Sequence, residues 1–350
     1  MISIPKDQMT PYERMTAFSK GQAIDRVPIC PFTGESFTNY FGHSLVDFNH
    51  SSDVIVDVVE KTFKRFKTDN CSIGPGLHGL PEAMGCDLTF YKDQIPQIKS
   101  SPLKDYQDLG WLRSIDPYKD GRLGLYLEAL KRLQDRLKGQ VHVGSTIAGP
   151  FTTAGLLIGT ERFLRDLAKN PQGVKTILNV CIDNTLEMIK ALMDIGISPG
   201  MADPLGSSHL ISKKTYDKWV LPATRVCQSY IESRSQSGSV LHICGKTSPI
   251  WSSMVETGIS GISLDNCDDI EDLKNLHGDQ VTIIGNLDPV NTLYMGSRQD
   301  IYREVASICN KSLDSKKGFV LATGCDVALG TDPKQVDHFM NAGRIYGNLR

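Results

Sequence analysis

The chain has 350 residues, 40% of them hydrophobic and 22% charged, and a formal net charge of −2. Such a chain can bury a sizeable core, and its scattered rather than clustered Lys and Arg argue against nucleic acid or an anionic membrane surface as a partner. No apolar run approaches the ~20 residues of a membrane span, and the opening MISIPKDQMT lacks the regions of a signal peptide, so a cytoplasmic location with nine reduced cysteines is expected.

The first predicted element is a helix opening at Thr10 and Pro11 and closing near Gly21, placed to cover the floor or an edge of the fold. Eight short apolar runs bounded by Gly, Pro or Asp then read as strands: Val27 to Cys30, Asp69 to Ile73, Val141 to Ala148, Ile197 to Ala202, Ser239 to Cys244, Gly261 to Asp265, Val281 to Asn286 and Gly318 to Thr323. Most are separated by stretches of helical period. One is the stripe Val174, Ile177, Leu178, Cys181, Ile182, Thr185, Met188, Ile189 and Leu192. Strand and helix alternating about eight times predict a single (β/α)8 TIM barrel spanning 1–350. The long stretch between the second and third strands, about 75–122, contains the alternating Asp87 to Tyr91 and Ile95 to Ile98 and reads as an inserted hairpin lid ahead of a helix at Leu123 to Leu137. Thr331 or Asp332 with Pro333 opens the last helix.

Barrel enzymes build their sites at the carboxyl ends of the strands. His242 and Cys244 end the fifth strand in VLHICG, two residues apart and therefore on one face, with Leu241 and Ile243 on the other. Cys325 follows the eighth strand in LATGCD, and Asp265 ends the sixth in GISLDN. Imidazole and thiolate suit Zn2+, and three protein ligands with an exchangeable fourth position is its catalytic pattern. His242, Cys244 and Cys325 are the expected ligands, with Asp265 the candidate fourth and Cys267 a weaker competitor. Asp203 in ADP and Asn286 in GNLDP end the fourth and seventh strands, where they would orient substrate or satisfy loop backbone as Asx turns. Glu35, Glu82 and Lys246 are weaker pocket candidates. Cys30, Cys71, Cys86, Cys181, Cys227 and Cys309 read as buried small hydrophobes.

With those residues in place, the chain resembles the uroporphyrinogen decarboxylase superfamily and, within it, the methylcobamide:coenzyme M methyltransferases. The resemblance rests on TPYERMTAFSKGQAIDRVP, EAMGCDL, MADPLGSSHLIS, GNLDPV and GCDVALGTDPKQV, spread over nearly the whole chain. It implies zinc held by His242, Cys244 and Cys325, with Asp265 as the displaceable ligand where the family usually has Glu. Lys246 stands where Asn is commoner and would touch the anionic end of a thiol substrate or be solvated. The first loop, VPICPFTGES, lacks the Arg-Gln-Ala-Gly-Arg signature of true decarboxylases.

The resemblance implies methyl transfer from a methylated corrinoid to a small thiol such as coenzyme M. Because no Asp-x-His-x-x-Gly cobalamin motif is present, a separate carrier protein is expected to bring the corrinoid. A homodimer is left open. Three other readings stand beside it: a corrinoid-dependent enzyme working on a methoxylated or other methyl donor, or with a folate acceptor; a non-catalytic zinc-stabilised binding protein; and a porphyrinogen decarboxylase.

Overall fold

The computed structural model describes residues 3–235 and 238–349; Met1, Ile2, Gln236, Ser237 and Arg350, all within the expected barrel span, lie outside the described residues. In chain order the strands are β1 Ile29–Cys30, β2 Cys71–Ser72, β3 Asp87–Thr89, β4 Gln97–Ser100, β5 Val143–Gly144, β6 Thr146–Ala148, β7 Gly200–Ala202, β8 Val240–His242, β9 Gly261–Ser263, β10 Thr282–Leu287 and β11 Phe319–Thr323. A parallel sheet runs β1-β11-β10-β9-β8-β7-β6, while β5 pairs with β2 in parallel. Because β5 and β6 are two halves of one run that break at Ser145, and Asp69 N donates to Ile29 O at 3.0 Å, the sheet returns to β1 and closes as an eight-strand TIM barrel. Each of the eight predicted runs meets one barrel strand; seven enclose a shorter strand, the third of these holding both halves, while β10 matches the seventh in length and extends one residue past it to Leu287.

The intervening segment forms the antiparallel hairpin β3–β4, as its alternation predicts. Helices coat the outside. Pro171–Asp194 buries Val174, Ile177, Leu178, Cys181, Thr185, Met188, Ile189 and Leu192, the predicted stripe except for half-buried Ile182. The six cysteines read as structural are all buried, whereas Cys267 is exposed. Asp332 caps the last helix, Pro333–Tyr346. Among the described residues no helix is long and apolar enough to cross a membrane.

The first helix, Pro11–Ser19, closes the barrel floor. Thr10 and Glu13 form a capping box, Tyr12 N donates to Gln140 O at 3.1 Å, and Phe18 packs against Gly318, where an added Cβ would meet its ring at 2.7 Å. Phe18 also packs on the inner cluster of Cys30, Ile284, Val320 and Ala322. The same helix sends the fully buried Arg14 into an ion network with Asp25 and Asp69, and Arg26 bridges Asp69 and Asp7. Burial works to raise the carboxyls of Asp7 and Asp25, but hydrogen bonds from Arg26 and Arg14 respectively overcome it and hold both below the usual range. A carboxylate depressed in the folded state contributes stability that is present above its unfolded pKa and lost as pH falls through the folded one. Unfolding free energy is therefore expected to fall from about pH 4 downward. The Arg26→Met variant should weaken that slope when both are followed by circular dichroism in denaturant; an unchanged slope would remove the network from the acid response.

Candidate active site at the barrel mouth

Alternation along β8 and the residues after it sets the centre. Leu241 and Ile243 are fully buried in the wall behind, while Val240, His242 and Cys244 face the cavity. The chain then turns at Gly245, whose φ of +76° suits glycine and where a Cβ would meet His209 Nδ1 at 2.8 Å. From the other side, Gly324 passes close enough to Asn266 that a Cβ would lie 2.6 Å from its backbone nitrogen, and this approach delivers Cys325. His242 Nε2 lies 3.2 Å from Cys244 Sγ, and Cys244 Sγ lies 3.8 Å from Cys325 Sγ. The ligand atoms of all three fall within 4.8 Å of one another.

These positions fit a tetrahedral zinc. Two thiolates bonded to one metal at about 2.3 Å stand about 3.8 Å apart, which matches the observed separation of 3.8 Å. His242 Nδ1 is 3.1 Å from Ser263 O and 3.0 Å from Ser263 Oγ. Donation from Nδ1–H to that carbonyl leaves Nε2 with its lone pair toward the thiols, the orientation a metal-binding imidazole needs. The hydrogen bond from Cys244 and the nearby imidazole hold the Cys325 thiol well below its ordinary value against the opposing effect of burial, while that same bond and burial raise Cys244. Two cysteine sulfurs beside an imidazole make a soft donor set.

The three residues form part of the wall of a cavity of about 350 Å³ at the carboxyl ends of the strands. One backbone and one side-chain bond bring two loops together here: Val327 N donates to Phe32 O at 2.8 Å and Ser36 Oγ donates to Val327 O at 2.5 Å. Glu35 and Asp326 consequently share the lining. Desolvation by the surrounding wall, reinforced by Asp326, raises Glu35 to about 7. Asp326 opens onto the cavity space but is enclosed by the same wall, and this desolvation with the Cys325 thiolate raises it to about 6. Opposite them, Arg122 donates to Glu82 Oε2 at 2.8 Å and to Asn49 Oδ1, and its guanidinium carbon lies 4.8 Å from the Phe90 ring centroid. Burial and the Arg122 charge lower His78, also in the lining. Ile95 and Pro96 bring the inserted hairpin to the cavity edge.

A family model described as uroporphyrinogen decarboxylase matches residues 10–346. The chain belongs to the uroporphyrinogen decarboxylase family. Within it the chain is 26% identical to a methylcobamide:CoM methyltransferase of Methanosarcina acetivorans, covering 97% of this chain and 99% of that protein. It is 24% identical to a uroporphyrinogen decarboxylase of Pseudoalteromonas translucida, covering 83% of each. A solved structure, a methyltransferase from Methanosarcina mazei, superposes with a TM-score of 0.86 at 23% identity, covering 97% of this chain and 99% of that one, so the fold is shared throughout.

Within the family fold, the other predicted site residues take different places. Asp265 does not join the three-residue set: its Oδ2 accepts Gly245 N–H at 2.9 Å and its Oδ1 accepts Cys267 N–H at 3.0 Å. Cys267 is exposed and likewise outside the set. Asp203 is buried and satisfies the start of the helix Pro150–Ile158, accepting from Thr152 N–H at 2.7 Å and from the Thr152 hydroxyl at 2.5 Å; Gly149, the residue before that helix, has no side chain to do so. Asn286 donates to the carbonyls of Asp265 and Asp268 at 3.1 and 2.9 Å, fixing the loop after β9. Lys246 is exposed and outside the cavity lining, and Glu82 sits behind Arg122. Of the pocket candidates, only Glu35 lines the cavity. Asp326, Arg122 and His78 were not singled out by sequence. Asp326 had an available signal, its position beside Cys325 at a strand end; Arg122 and His78 lie in the insertion, where no strand or helix period points inward.

Proposed function

We propose that this chain is a methyltransferase that moves a methyl group from a methylated corrinoid, brought by a separate carrier protein, to a small thiol, with Zn2+ held by His242, Cys244 and Cys325. The observation that carries this reading is the His-Cys-Cys set opening on a cavity. Support comes from the family relative of nearly equal length that is named for transfer from methylcobamide to CoM.

Zn2+ at this position would lower the pKa of an incoming thiol and keep its sulfur nucleophilic, because two cysteinates already balance the metal's charge. The chain's own residues supply the rest. Ser263 holds the imidazole of His242 in one orientation, and the glycine turns at Gly245 and Gly324 bring both sulfurs to one point. The thiol's proton is released to solvent as the substrate binds. The substrate sulfur then attacks the methyl carbon in line; the carbon–cobalt bond breaks and its electron pair stays on cobalt, so the corrinoid leaves reduced. Asp265 enters this reading behind Cys244, holding the Gly245 amide. To serve as the displaceable fourth ligand, one of its oxygens would have to join the His-Cys-Cys set, to which it does not belong here.

The test is metal content together with the visible spectrum of methylcobalamin incubated with the protein and a panel of small thiols including coenzyme M. About one zinc per chain and thiol-dependent loss of the methylcobalamin band are expected. Zinc with no demethylation by any thiol would move the function to another methyl acceptor or donor; protein purified away from chelators and without zinc would remove the metal reading.

A further inference from the structure

The cavity's charge inventory bears on which thiol enters it, given the methyl-transfer reading above, on which this inference rests. Among the described lining residues there is no Lys, and Arg122 is the single Arg. Its charge is already answered: Glu82 takes the Nε–H at 2.8 Å, Asn49 takes Nη1, and the guanidinium lies against Phe90 and Tyr126 at 4.8 and 5.9 Å. The one cation that the sequence offers for an anionic substrate end, Lys246, is exposed and outside the lining. Two carboxyls, Glu35 and Asp326, face the same space, locked there by the Phe32–Val327 and Ser36–Val327 bonds. No hydrogen bond to a neighbouring side chain engages either carboxyl, and neither has an ion-pair partner among the described residues. An incoming thiol bearing a sulfonate or carboxylate would meet two carboxyls without partners and only one guanidinium, already paired with Glu82. One bearing an ammonium would find two acceptors.

We propose that the acceptor thiol of this enzyme carries a positive charge at the end away from its sulfur, an aminothiol in chemical class, and that Glu35 and Asp326 are the residues that select it. The size of the space agrees: about 350 Å³ holds a short-chain thiol with room to spare for the approach of the methyl donor. Glu35 is half-buried, so its charge is screened less than one on the outer surface.

The decisive experiment reads binding instead of turnover. Three S-methylated products that differ only in the far group, 2-(methylthio)ethylamine, 2-(methylthio)ethanol and 2-(methylthio)ethanesulfonate, are titrated calorimetrically into the zinc-loaded protein. Because none has an ionisable thiol, their order reports the far end alone. The amine is expected to bind at least about tenfold more tightly than the sulfonate, with the alcohol between them. The Glu35→Gln/Asp326→Asn double variant, checked for retained zinc and an unchanged circular dichroism spectrum, should shrink that ratio to within about threefold. A sulfonate that binds as tightly as the amine, a ratio that the double variant leaves intact, or no binding of any of the three overturns the assignment. Methylcobalamin demethylation is read separately: amine-first binding without methyl transfer would overturn the function proposed above while supporting the charge selection.

Discussion

Cys325→Ala is expected to purify with almost no zinc and to lose thiol-dependent demethylation of methylcobalamin by more than about a thousandfold, since even residues that only orient metal ligands are worth ten- to a hundredfold in affinity or activity. The reason lies in how the set is assembled. Cys244 and His242 come from one strand end and sit 3.2 Å apart, but two ligands at that spacing leave half of a tetrahedron unfilled; Cys325, from a different strand, supplies the third corner at 3.8 Å. No neighbour fills that corner, because neither Asp265, which holds two backbone amides, nor the exposed Cys267 belongs to the three-residue set. Cys267→Ala is accordingly expected to keep a full equivalent of zinc, which makes it the control for mere loss of a thiol. Metal analysis of both variants after dialysis against a weak chelator decides the matter: full zinc in Cys325→Ala at wild-type affinity would mean that the metal, if bound, is held elsewhere.

Much of this architecture is legible in the chain because its signals are local. Period two in Val240 to Cys244 places imidazole and thiol on one face whatever the rest of the fold does, and period 3.6 in Pro171–Asp194 declares the buried stripe. What escapes is nonlocal. The run Val141 to Ala148 reads as one strand, yet it breaks at Ser145 to serve β2 with one half and β7 with the other, a choice set by neighbours distant in sequence. Strand-end position also overreaches. Lys246 follows the positive-φ turn at Gly245, after which alternation no longer tells direction, and Asp203 turns back to its neighbouring helix instead of the cavity. Arg122 reaches the cavity from the insertion through contacts with Asn49, Glu82 and Phe90, three separate parts of the chain.

At the opposite end of the barrel, Asp69→Leu is expected to destabilise the fold by about 3–5 kcal/mol, the range for removing one partner of a buried ion pair and stranding the other. Asp69 is fully buried and makes four short bonds at once. It accepts Arg14 Nη1 at 2.6 Å, Arg26 Nη1 at 2.5 Å and the backbone N–H of Ile29 at 2.7 Å, while its own amide donates to Ile29 O. Those two backbone links hold β1 to the segment entering β2, the seam where the sheet closes and where neither strand exceeds two residues. Asp25 and Asp7 still face the two guanidiniums in the variant, so the loss stays within that range instead of exceeding it. Asp69→Asn keeps an acceptor for Ile29 and removes the charge, and should fall between Asp69→Leu and wild type. A further variant separates charge stranding from seam breaking. If stranded charge dominates, Asp69→Leu combined with Arg14→Met will cost less than the sum of the two single losses, because the double change leaves fewer unpaired charges inside. Strict additivity in denaturant unfolding, or a loss below about 1 kcal/mol for Asp69→Leu, would assign the stability of the floor to the packing of Phe18 and the first helix alone.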